Sequence, residues 1–246
     1  MAVNIFWTGG WDSTFRILQL LVVEKKTVQP YYIIDSTRKS TEAEINAMNT
    51  IRTGMCRKFP FIEELLRPTI IVKLVEIDKE KILLPNFERL TKSVVLGGQY
   101  AWLAAYCEET GIYDMELFIQ RPGRMHDLIN DEIKFLQNGK DVVCVLDEKT
   151  KYTDLYTLLK YYRFPILNLT KPDMTPIAEK AGFIELMDLT WFCHNPRDNN
   201  ITCGMCGPCT TAIRQGMGRK VSFSGHIRYQ LIVRTGLKRL ITKRAS

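Results

Sequence analysis

The sequence predicts an α/β fold in which helices flank a parallel β-sheet. Short apolar runs alternate with segments of helical periodicity from the N-terminus to about residue 77. Such alternation with short connections is typical of a parallel sheet covered by helices. The chain has 246 residues, of which 46% are hydrophobic and 25% charged. This composition is that of an ordinary globular protein, and the length allows a sizeable buried core.

The first part of the chain supplies three strands and two helices. Apolar or β-branched runs predict the strands, and apolar residues at helical spacing predict the helices. The first strand begins at Val3, and the other two cover Pro30–Asp35 and Pro68–Ile77. The helices cover residues 12–25 and 41–58. Thr41 and Glu44 have the spacing of a capping box at the start of the second helix.

The middle and later parts of the chain are less regular. Residues 79–91 indicate a loop or a broken helix, whereas strands are predicted over 115–119 and 164–167 and helices over 94–110, 126–137, 152–162 and 172–181. Gly182 follows the last of these helices as a glycine stop. The turns after the first, second and fourth strands should share one edge of the sheet, because ligands of open α/β sheets bind outside the carboxyl ends of the strands.

The turn Thr8-Gly9-Gly10-Trp11-Asp12-Ser13-Thr14 joins the first strand to the first helix. Its glycines allow the backbone to adopt positive φ and to approach a ligand closely. Asp, Ser and Thr cap the N-terminus of a helix, where free N–H groups favour an anion. On these residues alone the turn is either a phosphate-binding loop or an ordinary connection between a strand and a helix.

Four of the seven cysteines lie within 17 residues of one another, at positions 193, 203, 206 and 209. Such crowding in a chain without a secretory signal predicts a metal site in preference to disulfides. Four thiolates satisfy tetrahedral zinc, and an iron–sulfur cluster uses the same ligands. We expect this site to be structural and to fasten the C-terminal segment to the edge of the sheet. Its ligands would be Cys193, Cys203, Cys206 and Cys209.

The formal charge of +7 is concentrated towards the C-terminus. Two interpretations stay open: a solvated helix face, and a surface for a nucleotide, a nucleic acid or an acidic protein. No basic region followed by an apolar run begins the sequence, and no apolar stretch reaches the roughly 18–20 residues of a membrane span. We therefore expect a cytoplasmic protein with no membrane partner.

The turn Gly9-Gly10-x-Asp12-Ser13 resembles the fingerprint of the PP-loop, or N-type, ATP pyrophosphatases, with Thr8 in place of the usual serine. No Gly-Lys-Ser/Thr follows, so the turn is not a Walker A loop. Together with the four cysteines, the pattern resembles the 7-cyano-7-deazaguanine synthases (the QueC-like family). The resemblance covers residues 1–60 and 164–215. It implies a Rossmann-like core of the adenine nucleotide alpha hydrolase-like kind, with an ATP-binding domain over 1–190 and a zinc-binding, basic helical segment over 191–246.

The resemblance also implies an activity. Enzymes of this family activate 7-carboxy-7-deazaguanine as an acyl-adenylate with release of pyrophosphate, and ammonia then gives an amide. A second activation dehydrates that amide to the nitrile preQ0. Relatives in anti-phage defence operons couple the deazaguanine acyl group to a partner protein instead. A tRNA-modifying PP-loop enzyme and an inactive nucleotide-binding scaffold are further alternatives. The implied cofactors are ATP, Mg²⁺ and Zn²⁺, and the implied partners are the deazaguanine carboxylate, ammonia, a protein acceptor from the same operon and a second copy in a homodimer.

Roles for individual residues follow from the loop and from the resemblance. We expect the cofactor to contact Thr8, Gly9, Gly10, Asp12, Ser13, Thr14 and Asp35. The expected catalytic residues are Asp12, which caps the turn or helps to place Mg²⁺, Ser13 and Arg38. Arginine forks match carboxylate and phosphate groups, and the residues expected to contact the substrate are Arg38, Gln99, Arg121 and Arg124.

Overall fold

The computed structural model describes residues 1–77, 84–138, 141–151, 153–197 and 200–234. Its strands are β1 (Val3–Phe6), β2 (Val28–Ile34), β3 (Ile70–Lys73), β4 (Met115–Glu116), β5 (Ile133–Asn138), β6 (Asp141–Leu146) and β7 (Tyr162–Arg163). Five of them form a parallel sheet in the order β3-β2-β1-β4-β7, and β5 and β6 form an antiparallel hairpin. The predicted parallel sheet is confirmed.

Helices connect the strands and cover the sheet. They are α1 (Trp11–Leu18), α2 (Thr41–Lys58), α3 (Ile62–Leu65), α4 (Leu84–Thr91), α5 (Gln99–Thr110), α6 (Arg124–Ile129), α7 (Asp154–Leu159), α8 (Lys171–Lys180), α9 (Ile184–Met187), α10 (Gly207–Arg214) and α11 (Phe223–Arg228). A π-helical turn over Gln19–Val23 extends α1, and another over Tyr229–Arg234 extends α11. In the described part of the chain, no helix is both long and apolar enough to cross a membrane.

The core has two halves, one on each face of the sheet. Successive side chains of a strand point to opposite faces, and β1 follows this rule. Ile5 and Trp7 pack with Phe15 of α1 on one face, whereas Phe6 packs with Tyr106 of α5 on the other. All five side chains are buried. This two-sided burial explains why β1 is apolar almost throughout.

The order of the strands creates a crevice beside β1. This strand pairs with β2 on one side and with β4 on the other, so the connections that leave β1 and β4 diverge. A ligand site is expected outside the carboxyl ends of strands at such a point. A buried ion pair fixes the two elements there, since Arg16 of α1 donates from Nε and Nη2 to the carboxylate of Glu116 in β4, both at 2.9 Å.

The hairpin of β5 and β6 corrects the helix predicted over 126–137. The helix ends at Ile129, and Ile133–Asn138 is a strand paired with β6. Ile129, Ile133 and Leu136 have helical spacing, whereas Ile133 and Phe135 lie on one side of a strand, so the apolar residues fit both patterns. The hairpin is stabilised by pairing with β6, which the periodicity of 126–137 does not reveal. Asn138-Gly139 was the available signal, because this dipeptide favours a hairpin turn.

Several element boundaries also differ from the prediction. The helix predicted from residue 94 begins at Gln99, and the strand predicted over 164–167 is Tyr162–Arg163, after which Phe164 makes one bridge to Cys144. The capping box does not form, because the carboxylate of Glu44 binds other partners and α2 has no side-chain cap. Tyr152 and residues 79–83 of the predicted segments lie outside the described residues.

Candidate functional site

The loop after β1 is pressed against α2. Gly9 has φ +67°, and a Cβ at this position would lie 3.1 Å from both the Cβ of Ala47 and the carbonyl oxygen of Glu44. Both the conformation and the contact therefore favour glycine. Gly10 follows in an extended conformation as the residue before α1. The loop is thus held close to α2, with the first turn of α1 at its end.

The three polar residues in the first turn of α1 have different surroundings. The Ser13 hydroxyl donates to the carbonyl oxygen of Gly10 at 3.3 Å. The Thr14 hydroxyl is buried and accepts a hydrogen bond from Nε1 of Trp7 at 3.0 Å, so Thr14 faces the core. Oδ1 of Asp12 is buried and has no hydrogen-bond partner among the described residues. Asp12 and Ser13 line a cleft at this edge of the sheet, but Thr14 does not.

A cleft of about 350 Å³ opens outside the carboxyl ends of β1, β2 and β4. It brings together most of the predicted loop residues and two of the predicted substrate residues, from three different segments of the chain. The predicted residues that line it are Thr8, Gly10, Asp12, Ser13, Arg38 and Gln99. The cleft therefore lies where the strand order predicts a ligand site.

The remaining predicted residues lie elsewhere. Asp35 accepts hydrogen bonds from the amide and hydroxyl of Thr37 within its own turn. Arg124 lines a neighbouring cavity of about 480 Å³ that shares Asp12 and Gln99 with the cleft. Arg121 is exposed, and neither cavity includes it in its lining.

The Arg38 guanidinium is held by a buried carboxylate. Nη2 of Arg38 donates to Oε1 of Glu44 at 2.6 Å, and the Ser40 hydroxyl donates to the same oxygen at 2.7 Å. The Tyr32 hydroxyl donates to the other carboxylate oxygen at 2.9 Å. This arrangement leaves other donors of the Arg38 fork available for an anion in the cleft, because a guanidinium has five N–H groups. Glu44, which had been expected to cap a helix, instead positions an arginine.

Lys171 is a cleft residue that the sequence interpretation missed. It is the first residue of α8 and lines the cleft beside Asp12. Burial raises the pKa of the Asp12 carboxyl above its ordinary value of 3.8, and the nearby Lys171 ammonium offsets this rise in part. Asp12 therefore offers a buried carboxylate oxygen that can bind a cation, and Lys171 offers an ammonium group that can donate hydrogen bonds to an anion. No sequence motif around Lys171 indicated this placement.

The segment that leads to the cysteines forms another wall of the cleft. Trp191, Phe192 and His194 all line it, and the rings of Trp191 and Phe192 stack with their centroids 6.5 Å apart. The amide of Trp191 donates to the carbonyl oxygen of Gly9 at 2.8 Å. The glycine loop and the cysteine segment are therefore joined by a backbone hydrogen bond.

The four predicted metal ligands come together in a buried cluster. All four sulfur atoms lie within 4.8 Å of one another, and two of the Sγ–Sγ distances, from Cys203 to Cys209 and from Cys206 to Cys193, are 3.9 Å. A tetrahedral ion with Zn–S bonds of about 2.3 Å holds its ligands about 3.8 Å apart. The cluster is thus compatible with zinc, and its compactness matches one ion better than a multi-iron cluster, whose ligands are spread around several metal atoms.

Backbone geometry holds the cysteines in place. The amides of Cys203 and Cys206 donate to the sulfurs of Cys193 and Cys203, at 3.2 and 3.3 Å. Gly204 has φ +75° and lies so close to Gly225 of α11 that any Cβ would overlap the Gly225 backbone. Nε of Arg228 donates to the carbonyl oxygen of Cys203 at 2.8 Å. Part of the C-terminal positive charge therefore fastens α11 to the cysteine turn, whereas Lys238 and the later basic residues lie outside the described range.

Comparison with known proteins adds no family assignment. No family model matches the chain, and no curated protein sequence matches it either.

Proposed function

We propose that this protein uses ATP to adenylylate a carboxylate, with release of pyrophosphate, as the QueC-like enzymes do with 7-carboxy-7-deazaguanine. The observation that carries the proposal is the cleft in which the glycine loop, Asp12, Arg38 and Lys171 meet at the carboxyl ends of the strands. The activated acyl group would then react with ammonia to give an amide and AMP. A second ATP would activate the amide oxygen, whose departure with AMP gives the nitrile preQ0. Alternatively, the acyl group would pass to an amine of a partner protein with release of AMP.

The chemistry requires a better leaving group on the carboxylate. A carboxylate oxygen attacks the α-phosphorus of ATP, a new P–O bond forms, and the bond to the bridging oxygen breaks so that pyrophosphate departs. The backbone of the Thr8–Gly10 loop and the Ser13 hydroxyl lie at the N-terminus of α1, where free N–H groups and the helix dipole favour an anion. These groups would bind the departing pyrophosphate.

Charged side chains of the cleft would position the two reacting anions. Lys171 and Arg38 both line the cleft, and their positive charges would offset the repulsion between carboxylate and triphosphate. Mg²⁺, when bound with ATP, would neutralise phosphate charge, and the unpaired Oδ1 of Asp12 is the oxygen ligand that suits it. Thr14 would not contact the nucleotide, because its hydroxyl accepts a hydrogen bond from Trp7 and faces the core.

The cysteine cluster would hold Zn²⁺ as a structural ion. All four protein ligands are present within metal-binding distance, so a tetrahedral ion would have no open position for a substrate. The role of the ion would be to brace the wall formed by Trp191, Phe192 and His194.

Product analysis tests the proposal. Purified full-length protein is incubated with ATP, Mg²⁺ and 7-carboxy-7-deazaguanine, with and without ammonia, and nucleotides and bases are separated by chromatography and mass spectrometry. We expect AMP and pyrophosphate without ADP, and an amide or nitrile when ammonia is present. If the base is consumed only after a candidate acceptor protein from the same operon is added, intact-mass analysis should show the acyl adduct.

Two variants make the product analysis specific. Ser13→Ala should reduce AMP formation because it removes a cleft hydroxyl, whereas Thr50→Ala removes an exposed hydroxyl that bonds only within α2 and should leave the rate unchanged. Formation of ADP and phosphate, or AMP formation that is equal in both variants, would contradict the proposal.

A further inference from the structure

A second cavity adjoins the cleft on the side of β4. It is the space of about 480 Å³ that Arg124 lines, and it shares Asp12, Gln99 and Phe118 with the cleft. Much of its wall comes from the segment that follows β4, from Phe118 to His126. With the carboxylate activated in the cleft, as proposed above, this cavity would give a second reactant access to the acyl carbon.

A buried hydrogen-bond acceptor in this cavity lacks a donor. Oε1 of Gln120 is buried and has no hydrogen-bond partner in the part of the chain that the structure describes, and Gln120 lines the cavity. Buried polar atoms are hydrogen-bonded in the great majority of cases, so this oxygen indicates a ligand that carries a donor. An amine meets this need, because its N–H groups can donate to a carbonyl oxygen.

His126 of α6 supplies a proton acceptor in the same wall. Its side chain is only 14% exposed, and its Nδ1 lies 3.1 Å from Oδ1 of Asp127. An ionised carboxylate can only accept hydrogen bonds, so Nδ1 carries the proton in this contact and Nε2 of the neutral ring is the acceptor. This tautomer is the one in which Nε2 can take up a proton, as a general base must.

We propose that His126 is the general base for attack of the acceptor amine on the activated carboxylate, and that Gln120 holds this amine in the second cavity. The inference rests on the proposed function and concerns the step that follows adenylylation. The amine nitrogen forms a bond to the acyl carbon, the bond from that carbon to the oxygen of AMP breaks, and AMP departs. Nε2 of His126 takes the proton that the nitrogen loses.

The positive charges around the cavity favour the reactive form of the amine. Only a neutral amine has the lone pair that attacks the acyl carbon. Arg124 lines the cavity, and its charge, together with that of Mg²⁺ when bound at Asp12, would disfavour an ammonium ion there. The neutral amine must still lose a proton as the amide forms, and His126 would receive it.

Separate assays of the two steps test this role. Adenylylation is followed as exchange of labelled pyrophosphate into ATP, and formation of the amide from 7-carboxy-7-deazaguanine and ammonia is followed by mass spectrometry. The variants of the full-length protein are His126→Ala, His126→Gln and Gln120→Leu, each with a melting temperature that shows it to be folded. Asn130→Ala removes an exposed polar side chain at the end of α6 and is the control.

We expect His126→Ala and His126→Gln to form the amide about 10²-fold more slowly, while pyrophosphate exchange stays at the wild-type rate. Added imidazole should accelerate amide formation in His126→Ala, where the missing ring leaves room for it, but not in His126→Gln. Gln120→Leu should raise the KM for ammonia by about tenfold, because the amine loses its acceptor. Asn130→Ala should change neither step.

Undiminished amide formation in both His126 variants would overturn the assignment. A loss of pyrophosphate exchange as large as the loss of amide formation would also overturn it, as would a slow His126→Ala that imidazole does not accelerate. Failure of the wild type to exchange pyrophosphate would instead contradict the proposed function, and the role of His126 would fall with it.

Discussion

The amide of Trp191 donates a 2.8 Å hydrogen bond to the carbonyl oxygen of Gly9, and this bond connects the cysteine segment to the glycine loop. Cys193 follows two residues later, so a metal ion at the cluster would fix the segment that closes one wall of the cleft. In the proposed mechanism the cysteines would support the candidate active site through this segment and would take no direct part in its chemistry.

Metal removal should therefore weaken nucleotide binding. In Cys206→Ser we expect lost metal, a lower melting temperature and at least a tenfold loss of affinity for an ATP analogue, because Trp191 no longer braces Gly9. Cys144→Ser replaces a buried thiol far from the cluster in sequence and serves as the control, with metal retained. Equal nucleotide affinity of metal-free and metal-loaded protein would show that the two sites are independent.

The close contact between Gly204 and Gly225 should make Gly204 intolerant of substitution. Gly204→Ala adds a Cβ that overlaps the Gly225 backbone at a position with φ +75°, and we expect a loss of unfolding free energy well above 3 kcal/mol. Gly111 has a similar φ of +67° but open space around its Cβ position. Gly111→Ala should therefore cost only the conformational strain, about 1–2 kcal/mol. Urea denaturation of both variants measures the difference, and equal losses would refute the steric explanation.

Asp12→Asn should stabilise the protein while abolishing ATP turnover. Burial disfavours the Asp12 carboxylate and raises its pKa, so the neutral amide removes a cost of the order of 1 kcal/mol, or about 2–4 °C in melting temperature. A raised carboxyl pKa makes the folded state bind the proton more tightly, so this group's contribution to stability is lost as pH rises through that pKa. The advantage of the variant should hence shrink as the pH falls towards 3.8, the ordinary value.

Thermal unfolding at a series of pH values checks this prediction, and AMP formation is measured on the same preparations. A variant that is less stable at neutral pH, or one that retains full turnover, would argue against a cation-binding role for Asp12.

Arg38 and Glu44 should affect catalysis to different degrees. Arg38→Met removes a positive charge from the cleft, and we expect a loss of about 10²–10³ in kcat. Glu44→Gln keeps the size of the side chain but removes the charge that orients Arg38. Because Glu44 is a positioning residue, we expect kcat/KM to fall by only about tenfold, mainly through a higher KM. Lys39→Met changes a neighbouring exposed charge and should have little effect. Steady-state kinetics separate these outcomes, and an inactive Glu44→Gln with an active Arg38→Met would reverse the assignment.

The parts of this structure that the sequence predicts are those set by local patterns. The apolar run after Val3, the glycine turn and the helical spacing of 41–58 place β1, the loop and α2, because each pattern lies within a few neighbouring residues. The spacing of the four cysteines likewise predicts a cluster with no knowledge of the fold. Arg38 could be expected in the cleft because it follows the strand beside β1.

The features that the sequence does not predict depend on contacts between distant residues. Lys171 reaches the cleft because α8 packs against α1, which lies about 160 residues earlier. Trp11 reads as part of an ordinary turn, and the lack of an acceptor for its indole N–H is visible only when all of its neighbours are placed. The strand Ile133–Asn138 needed its partner β6 to be distinguished from a helix. In each case the decisive information is tertiary.

Exchange of labelled pyrophosphate into ATP tests the central claim most directly, because only reversible adenylylation returns the label to ATP. The assay combines the full-length protein, Mg²⁺, ATP and labelled pyrophosphate, with 7-carboxy-7-deazaguanine added or omitted. We expect exchange that requires the carboxylate, is lost in Asp12→Asn and persists in Thr50→Ala. Protein that binds both ATP and the carboxylate but catalyses no exchange would contradict the assignment of this cleft as an adenylylating site.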